Sequence, residues 1–179
     1  MSLRKDIENA QKGNRAAQRS LYYATCDELM LTARRYCASS SDAKDILQEA
    51  YIKIFQNINQ FDPQKGRFAH WVKRIVINES LMQLRKKNRL SFHELDVGPI
   101  VTTEDFLDAM TVEELRDCIH QMSTQHKVIL NLYFFDQLSH KEIAEILEIK
   151  ESSSRSRLTR AKANLKKQWQ SLHKFKANG

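Results

Sequence analysis

Ser152, Arg155, Thr159, Lys162 and Lys166 recur at alternating steps of three and four residues. At about 100° per residue such steps gather hydroxyls and cations on one side of a helix. Leu158, Ala161, Leu165, Trp169 and Leu172 fall on a separate stripe, well over a quarter-turn away. A helix divided in this way packs with one face and presents the other to base edges and phosphates in a DNA major groove. The segment just before it, Leu138-Ser139-His140-Lys141-Glu142-Ile143-Ala144-Glu145-Ile146-Leu147, reads as a first, shorter helix. Ser139 can cap it, and Glu142, three residues on, can complete a capping box. Ile143, Ala144 and Leu147 form its apolar stripe, and the few residues after Leu147 leave room only for a tight turn. The pair reads as a helix-turn-helix.

A second constellation lies at 67–88. With Arg67 as zero, Arg85 falls at about 0°, Arg74 at about −20°, Asn78 at about +20° and Trp71 at about +40°. Three arginines, an asparagine and a tryptophan thus share a narrow stripe about 27 Å long. Guanidinium forks suit phosphates, an asparagine can read a base edge, and an indole can stack on an unpaired base. Trp71 can equally pack inward with Phe68, Val72 and Ile75. The stripe runs on into Arg85-Lys86-Lys87-Asn88-Arg89, and Phe61-Asp62-Pro63-Gln64-Lys65-Gly66 before it holds a Pro and a Gly. A defined loop is expected at the edge of that surface.

Bond-making chemistry has little support. None of the six histidines forms an H-x-x-x-H pair, Cys118-x-His120 is too sparse for a metal site, and there is no glycine-rich phosphate loop. No cofactor is expected. Cys26, Cys37 and Cys118 are an odd number without C-x-x-C spacing. They fit buried or half-buried thiols in a reducing cytosol, not a disulfide framework.

The elements that must position these residues are helices. Apolar residues recur at helical spacing almost throughout, and no stretch alternates as a strand. The periodicity predicts helices at about 3–12, 15–38 (broken near Thr25–Cys26), 42–59, 67–88, 105–121, 125–135, 139–147 and 151–173. Only 4 Gly and 2 Pro agree with long helices and few turns. Helix 42–59 is expected to start at Asp42 as N-cap, with Ala43, Leu47, Ala50, Tyr51, Ile54 and Ile58 buried and Asp45, Gln48, Glu49 and Lys53 outside. Gly98-Pro99 marks a linker over 90–104. An N-terminal helical bundle over 1–90 would then lead through 91–104 to a C-terminal helix-turn-helix module over 105–179, in an all-α fold.

Charge follows the same division. The chain of 179 residues carries +7 overall, with 41% hydrophobic and 28% charged residues. Residues 65–93 hold eight basic groups against Glu79, residues 94–117 hold eight carboxylates against Arg116, and 150–179 carry +8. Two basic blocks separated by an acidic stretch point to two polyanion-binding surfaces. With no signal-like N-terminus and no run of membrane-span length, a soluble, cytoplasmic protein is expected.

These motifs resemble a known family. Asp42-Ala43-Lys44-Asp45-Ile46-Leu47-Gln48-Glu49-Ala50-Tyr51 is similar to the polymerase-binding helix of bacterial sigma factors. Arg67-Phe68-Ala69-His70-Trp71-Val72-Lys73-Arg74-Ile75-Val76-Ile77-Asn78 resembles their −10 promoter-melting helix. Lys141-Glu142-Ile143-Ala144 through Ser156-Arg157-Leu158-Thr159-Arg160-Ala161 resembles their −35 helix-turn-helix. The two-module layout is that of the extracytoplasmic function (ECF) group of the sigma-70 family. The resemblance implies roles. Asp45, Gln48 and Glu49 would dock on the coiled-coil clamp of the β′ subunit of core RNA polymerase, with the β subunit as a further partner. Asn78, among Arg67, Trp71, Arg74 and Arg85, would contact the −10 element, with loop 61–67 capturing a flipped base. Ser152, Arg155, Ser156, Thr159 and Arg160 would belong to the −35-reading helix, with Lys162 and Lys166 on phosphates. It also implies an anti-sigma factor as partner. Three positions depart from the family pattern: Ser154 where an apolar residue is usual, Glu148 where the turn commonly carries Gly, and Met82 where an acidic residue often stands.

The leading expectation is therefore a dissociable specificity subunit of RNA polymerase that selects promoters through −35 and −10 elements and is not itself an enzyme. The alternative is a polymerase-independent helix-turn-helix regulator, which leaves the Trp71 stripe and the Asp45–Glu49 patch without a purpose.

Overall fold

The computed structural model describes residues 3–87, Leu90 and 110–177, with side chains through His173. The chain divides into two compact units, 1–89 and 90–179. Apart from Leu90, the expected linker 90–104 lies outside the described residues, as does the start of the helix expected at 105. All described regular structure is helical.

The first unit is built from α1 (Leu3–Gln11), α2 (Arg15–Arg34), α3 (Ser40–Gln56), a 3-10 turn (Ile58–Gln60) and α4 (Phe68–Lys86). Asn14 caps α2 by accepting the Ala17 N–H at 3.0 Å, after a turn in which Gly13 takes φ +79°, a value that suits a residue without Cβ. The break expected near Thr25–Cys26 is absent. Helix α2 runs through it because the Thr25 hydroxyl donates back to the Leu21 carbonyl at 2.8 Å and lies 2.7 Å from the Tyr51 hydroxyl. A β-branched polar residue is held in the helix by a partner on α3 that local sequence does not reveal. The start of α3 also differs: Ser39 is its N-cap and accepts the Asp42 N–H at 3.1 Å. Asp42 instead stands in the first turn, where a carboxylate favours the positive end of the helix dipole, and pairs with Lys87 at 2.7 Å.

The apolar stripe expected on α3 is buried as expected, with Ala43 and Ala50 wholly so. It meets Leu21, Leu29 and Ala33 of α2 and Phe68, Val72 and Val76 of α4 in one core. Large side chains such as Leu21, Ile54, Ile77 and Leu81 are almost completely enclosed, and each stabilises the fold by about 1.5–3 kcal/mol through burial. A second ion pair joins the same two helices: Lys53 of α3 donates to the buried Glu79 of α4 at 2.5 Å. Cys37 and Cys26 are half-buried thiols and Cys118 is buried; burial pushes the Cys37 thiol up to about 11.

The second unit comprises α5 (Val112–Gln121), α6 (Thr124–Leu130) with a wide π-helical turn at Asn131–Phe135, α7 (His140–Leu147) and α8 (Glu151–Ala177). Helix α5 begins at Val112 because Thr111 and Glu114 form a capping box. Ser123 caps α6 one residue earlier than expected. The final turn of the element expected at 125–135 is widened, so that Leu138 N–H reaches the Leu132 carbonyl at 3.0 Å. The capping box read from Ser139 and Glu142 is present, each backbone N–H meeting the other's side-chain oxygen, at 2.9 and 3.3 Å. Glu148 ends α7 with φ +59°, the left-handed conformation that glycine adopts most easily. Ile143, Leu147, Leu158, Ala161 and Leu165 fill the core between α7 and α8. Further along α8, Trp169 and Leu172 are half-buried. The Trp169 indole donates to Glu114 at 3.4 Å, and His173 lies 3.3 Å from the same carboxylate, so one acid both caps α5 and anchors α8.

Candidate nucleic-acid interface

Helix α4 buries Phe68, Val72, Val76, Ile77, Leu81 and Leu84. The 3.6-residue repeat then turns the remaining face outward, and Arg67, Arg74, Asn78 and Arg85 are all exposed on it. Trp71 is half-buried. Its ring centroid lies 5.6 Å from Phe61 and 5.8 Å from Phe68, and it packs against the core. One side of the indole therefore belongs to the fold, and only its remaining surface is open to a ligand. The inward packing read as one alternative for this residue is observed on that side. The loop ahead of α4 is held in shape by two devices. Asp62 accepts the Gln64 N–H at 2.9 Å in an Asx-type turn. The Gln11 amide of α1 donates to the carbonyls of Ile58 and Phe61 at 3.1 and 3.2 Å. Gln11 was not legible as part of this site, since its partners lie about fifty residues downstream. Glu79, next to Asn78, projects about 100° away from it, and its buried carboxylate pairs with Lys53 of α3.

Helix α8 presents the second surface. Ser152 and Arg155 are exposed, and Ser156, Thr159, Arg160, Lys162 and Lys166 are half-buried. Arg155 pairs with Glu151 one turn earlier, which orients the guanidinium on the surface, an arrangement weak enough at an exposed site to yield to a phosphate or base. Two hydroxyls are turned back on their own helix: Thr159 Oγ1 donates to the Arg155 carbonyl and Ser156 Oγ to the Ser153 carbonyl, both at 3.1 Å. Lys162 lies over the Phe134 ring, 5.4 Å from its centroid, a cation–π contact that binds its stem to the end of the wide turn. Ser154, the position where an apolar residue was the pattern, is completely buried. Its hydroxyl meets His140 Nδ1 at 3.0 Å. Burial, then the charge of Arg155, holds the His140 pKa below its ordinary value.

A third surface is uncharged at its centre. Asp45, Gln48 and Glu49 are exposed along α3, and one turn beyond Gln48 stands Ile52, 44% exposed. Beside them Tyr22, Met30, Leu47, Tyr51, Ile52 and Phe55, together with Lys44 and Gln48, line an open groove of about 460 Å³ between α2 and α3. Tyr51 forms its floor. Its hydroxyl donates to the Tyr22 carbonyl at 3.3 Å, and burial pushes its pKa up to about 12, so it stays a neutral hydrogen-bonding group. The apolar part of this surface is not among the sequence expectations, which assign no faces to the helix at 15–38. The signal was Tyr22, Tyr23 and Leu31, more large apolar residues than one buried stripe uses.

Comparison with known proteins places these surfaces in one family. The family model described as Sigma-70 region 2 matches residues 25–90, and that described as Sigma-70, region 4 matches residues 112–165. Together they take in more than half of the chain. The chain is similar to the ECF RNA polymerase sigma factor SigW of Bacillus subtilis, 27% identical over 96% of this chain and 99% of that protein. It is also similar to the ECF RNA polymerase sigma-E factor of Haemophilus influenzae, 27% identical over 93% of this chain and 94% of the other. Among solved structures, CnrH in complex with the cytosolic domain of CnrY shares its fold with a TM-score of 0.58, at 20% identity and over 94% and 97% of the two chains. The sigma factor RpoE of Bartonella quintana, in complex with the anti-sigma factor NepR, gives 0.58 at 16% identity over 85% and 96%. Regions 2 and 4 matched one after the other, with ECF relatives aligned over nearly the whole chain, identify it as a member of the sigma-70 family, within its extracytoplasmic function group.

Proposed function

We propose that this chain is the dissociable specificity subunit of a bacterial RNA polymerase and that its three surfaces divide the work of starting transcription. The observation that carries the reading is the juxtaposition in one small bundle of an exposed acidic ridge and an exposed arginine stripe on adjacent helices, α3 and α4. Asp45, Gln48 and Glu49, with the apolar groove beside them, are assigned to core polymerase. Charged residues at the rim and apolar ones at the centre are the usual anatomy of a protein interface. Arg67, Arg74, Asn78 and Arg85 with the open side of Trp71 are assigned to the −10 element. There cations hold the separated backbone, and asparagine and indole meet exposed bases. Ser152, Arg155, Ser156, Thr159 and Arg160 are assigned to the −35 duplex, with Lys162 and Lys166 on phosphates.

In this account the chain makes and breaks no covalent bond. Binding energy to polymerase and promoter is used to choose a site and to favour strand separation there. The protein acts in the cytoplasm, and no described helix is long and apolar enough to cross a membrane. An anti-sigma protein is the further partner we assign to it, supported by the similar fold of RpoE, whose structure holds the anti-sigma factor NepR.

Transcription in vitro tests the reading. Core RNA polymerase, this protein and fragments of its own genome are combined and RNA starts are located. Discrete starts that depend on the protein and share upstream elements are the expected result. Absence of such starts, with no binding to core polymerase, would favour a free DNA-binding regulator.

A further inference from the structure

The geometry points to the His140–Ser154 hydrogen bond as a pin that fixes the rotation of α8 about its own axis, and so as a positioning determinant of −35 sequence preference in this chain. The inference rests on the reading that α8 enters the −35 duplex. Ser154 is wholly buried and immediately precedes Arg155, so the two side chains project about 100° apart on the helix. The inner anchor and the outer reading residue are therefore one rigid unit. On the anchor side, Ser154 Oγ lies 3.0 Å from His140 Nδ1. The imidazole in turn stacks on Tyr133, with ring centroids 5.1 Å apart and planes 25° apart. Tyr133 belongs to the wide turn after α6 and His140 is the first residue of α7. One contact thus joins three elements at the point where α8 begins.

Its polarity is what matters. An apolar side chain at 154 would leave α8 free to roll over Ile143 and Leu147, because dispersion contacts have little directional preference. A hydrogen bond weakens steeply away from linearity, and a buried hydroxyl or ring nitrogen without its partner is penalised. Rotation of α8 by even one side-chain width therefore carries a cost in this protein that purely apolar packing would not impose. His140, by this argument, touches no base. It acts through Ser154 on Arg155 and Thr159.

The test uses the full chain with core polymerase and a promoter library in which the −10 element is fixed and the −35 element is randomised. The variants are Ser154→Ala, His140→Leu and the pair His140→Leu/Ser154→Ala, which leaves no polar group unpartnered and keeps the unit folded. His140→Asn, which retains an amide near the Nδ1 position, is the conservative control. In Ser154→Ala, His140→Leu and the double variant, discrimination between the best and the second-ranked −35 sequences is expected to fall about fivefold or more. The order of preferred bases opposite Arg155 and Thr159 is expected to change. His140→Asn is expected to keep the wild-type order. With the −35 element fixed and the −10 element randomised, all four are expected to match wild type. A merely structural role predicts a uniform loss of activity across the library instead. The wild-type −35 order retained by a folded double variant, shown by its circular dichroism and melting curve, would overturn the proposal alone. A wild-type protein with no −35 preference would overturn the underlying reading, and the proposal with it.

Discussion

The two helices assigned to DNA are held in different ways. Helix α4 lies in a bundle where α2 and α3 both pack on it, its inner face is mostly apolar with Ser80 and the Lys53-paired Glu79 buried among six apolar residues, and the loop feeding it is tied down by Asp62 and by Gln11. Helix α8 has its reading end supported by two short helices, α6 and α7. There His140 of α7 meets the buried Ser154 of α8, and Glu148 turns the chain between the two helices in left-handed backbone. Holding open a separated strand calls for a platform that does not yield. Reading a duplex calls for an orientation that a few local contacts can set, and such contacts are open to change by single substitutions. The first region is therefore expected to respond to mutation by losing stability, and the second by changing preference.

The comparison can be broken most severely at the surface it shares with neither helix. Replacing Asp45 and Glu49 with Arg is expected to abolish binding to core polymerase, since charge reversal across an interface costs several kcal/mol. The far-ultraviolet circular dichroism and the melting curve should be unchanged, because both residues are exposed. Unchanged polymerase affinity would remove the docking assignment. Within the first unit, Leu81→Ala is expected to cost about 2–5 kcal/mol in urea unfolding, the range for a cavity in a close-packed core. A loss under 1 kcal/mol would mean that the platform is less rigid than its burial implies.

In the second unit smaller effects are expected. The pH dependence should be modest and of definite sign. Burial, then the charges of Arg155 and Lys162, oppose protonation of His140 and Glu151 favours it, so that its pKa is held below its ordinary value. The unfolded state then takes up the proton more readily than the folded one. The contribution is complete above the ordinary histidine range and is lost as pH falls from there toward the lower folded-state value. Urea midpoints read from Trp169 in a Trp71→Phe background should fall through that window, and His140→Leu should reduce the fall. A rise on acidification would contradict the burial argument.

Much of this was legible before any coordinates. The arginine stripe on α4, the buried stripe on α3, the capping box at Ser139 and the division of α8 depend on local periodicity and on groups three or four residues apart, and all were read from sequence. What failed depended on partners far along the chain. Thr25 keeps α2 unbroken through Tyr51, and Gln11 supports a loop about fifty residues away. Ser39 displaced Asp42 as cap because several residues in that run can play the part, and only backbone dihedrals decide. Ser154 was recognised as a departure, but not that a histidine fourteen residues earlier would receive it. The groove between α2 and α3 was not anticipated because a pattern of apolar residues does not say which of them remain uncovered.

The division of labour between the two helices is tested most directly in one experiment. Asn78→Ala and Arg155→Ala are each assayed with core polymerase on a promoter library randomised at both elements. The account predicts that Asn78→Ala alters preference only within the −10 element. Arg155→Ala should alter it only within the −35 element, by about 1–3 kcal/mol at the contacted position. Shifts of both elements by either substitution, or a uniform loss at all sequences from both, would contradict it.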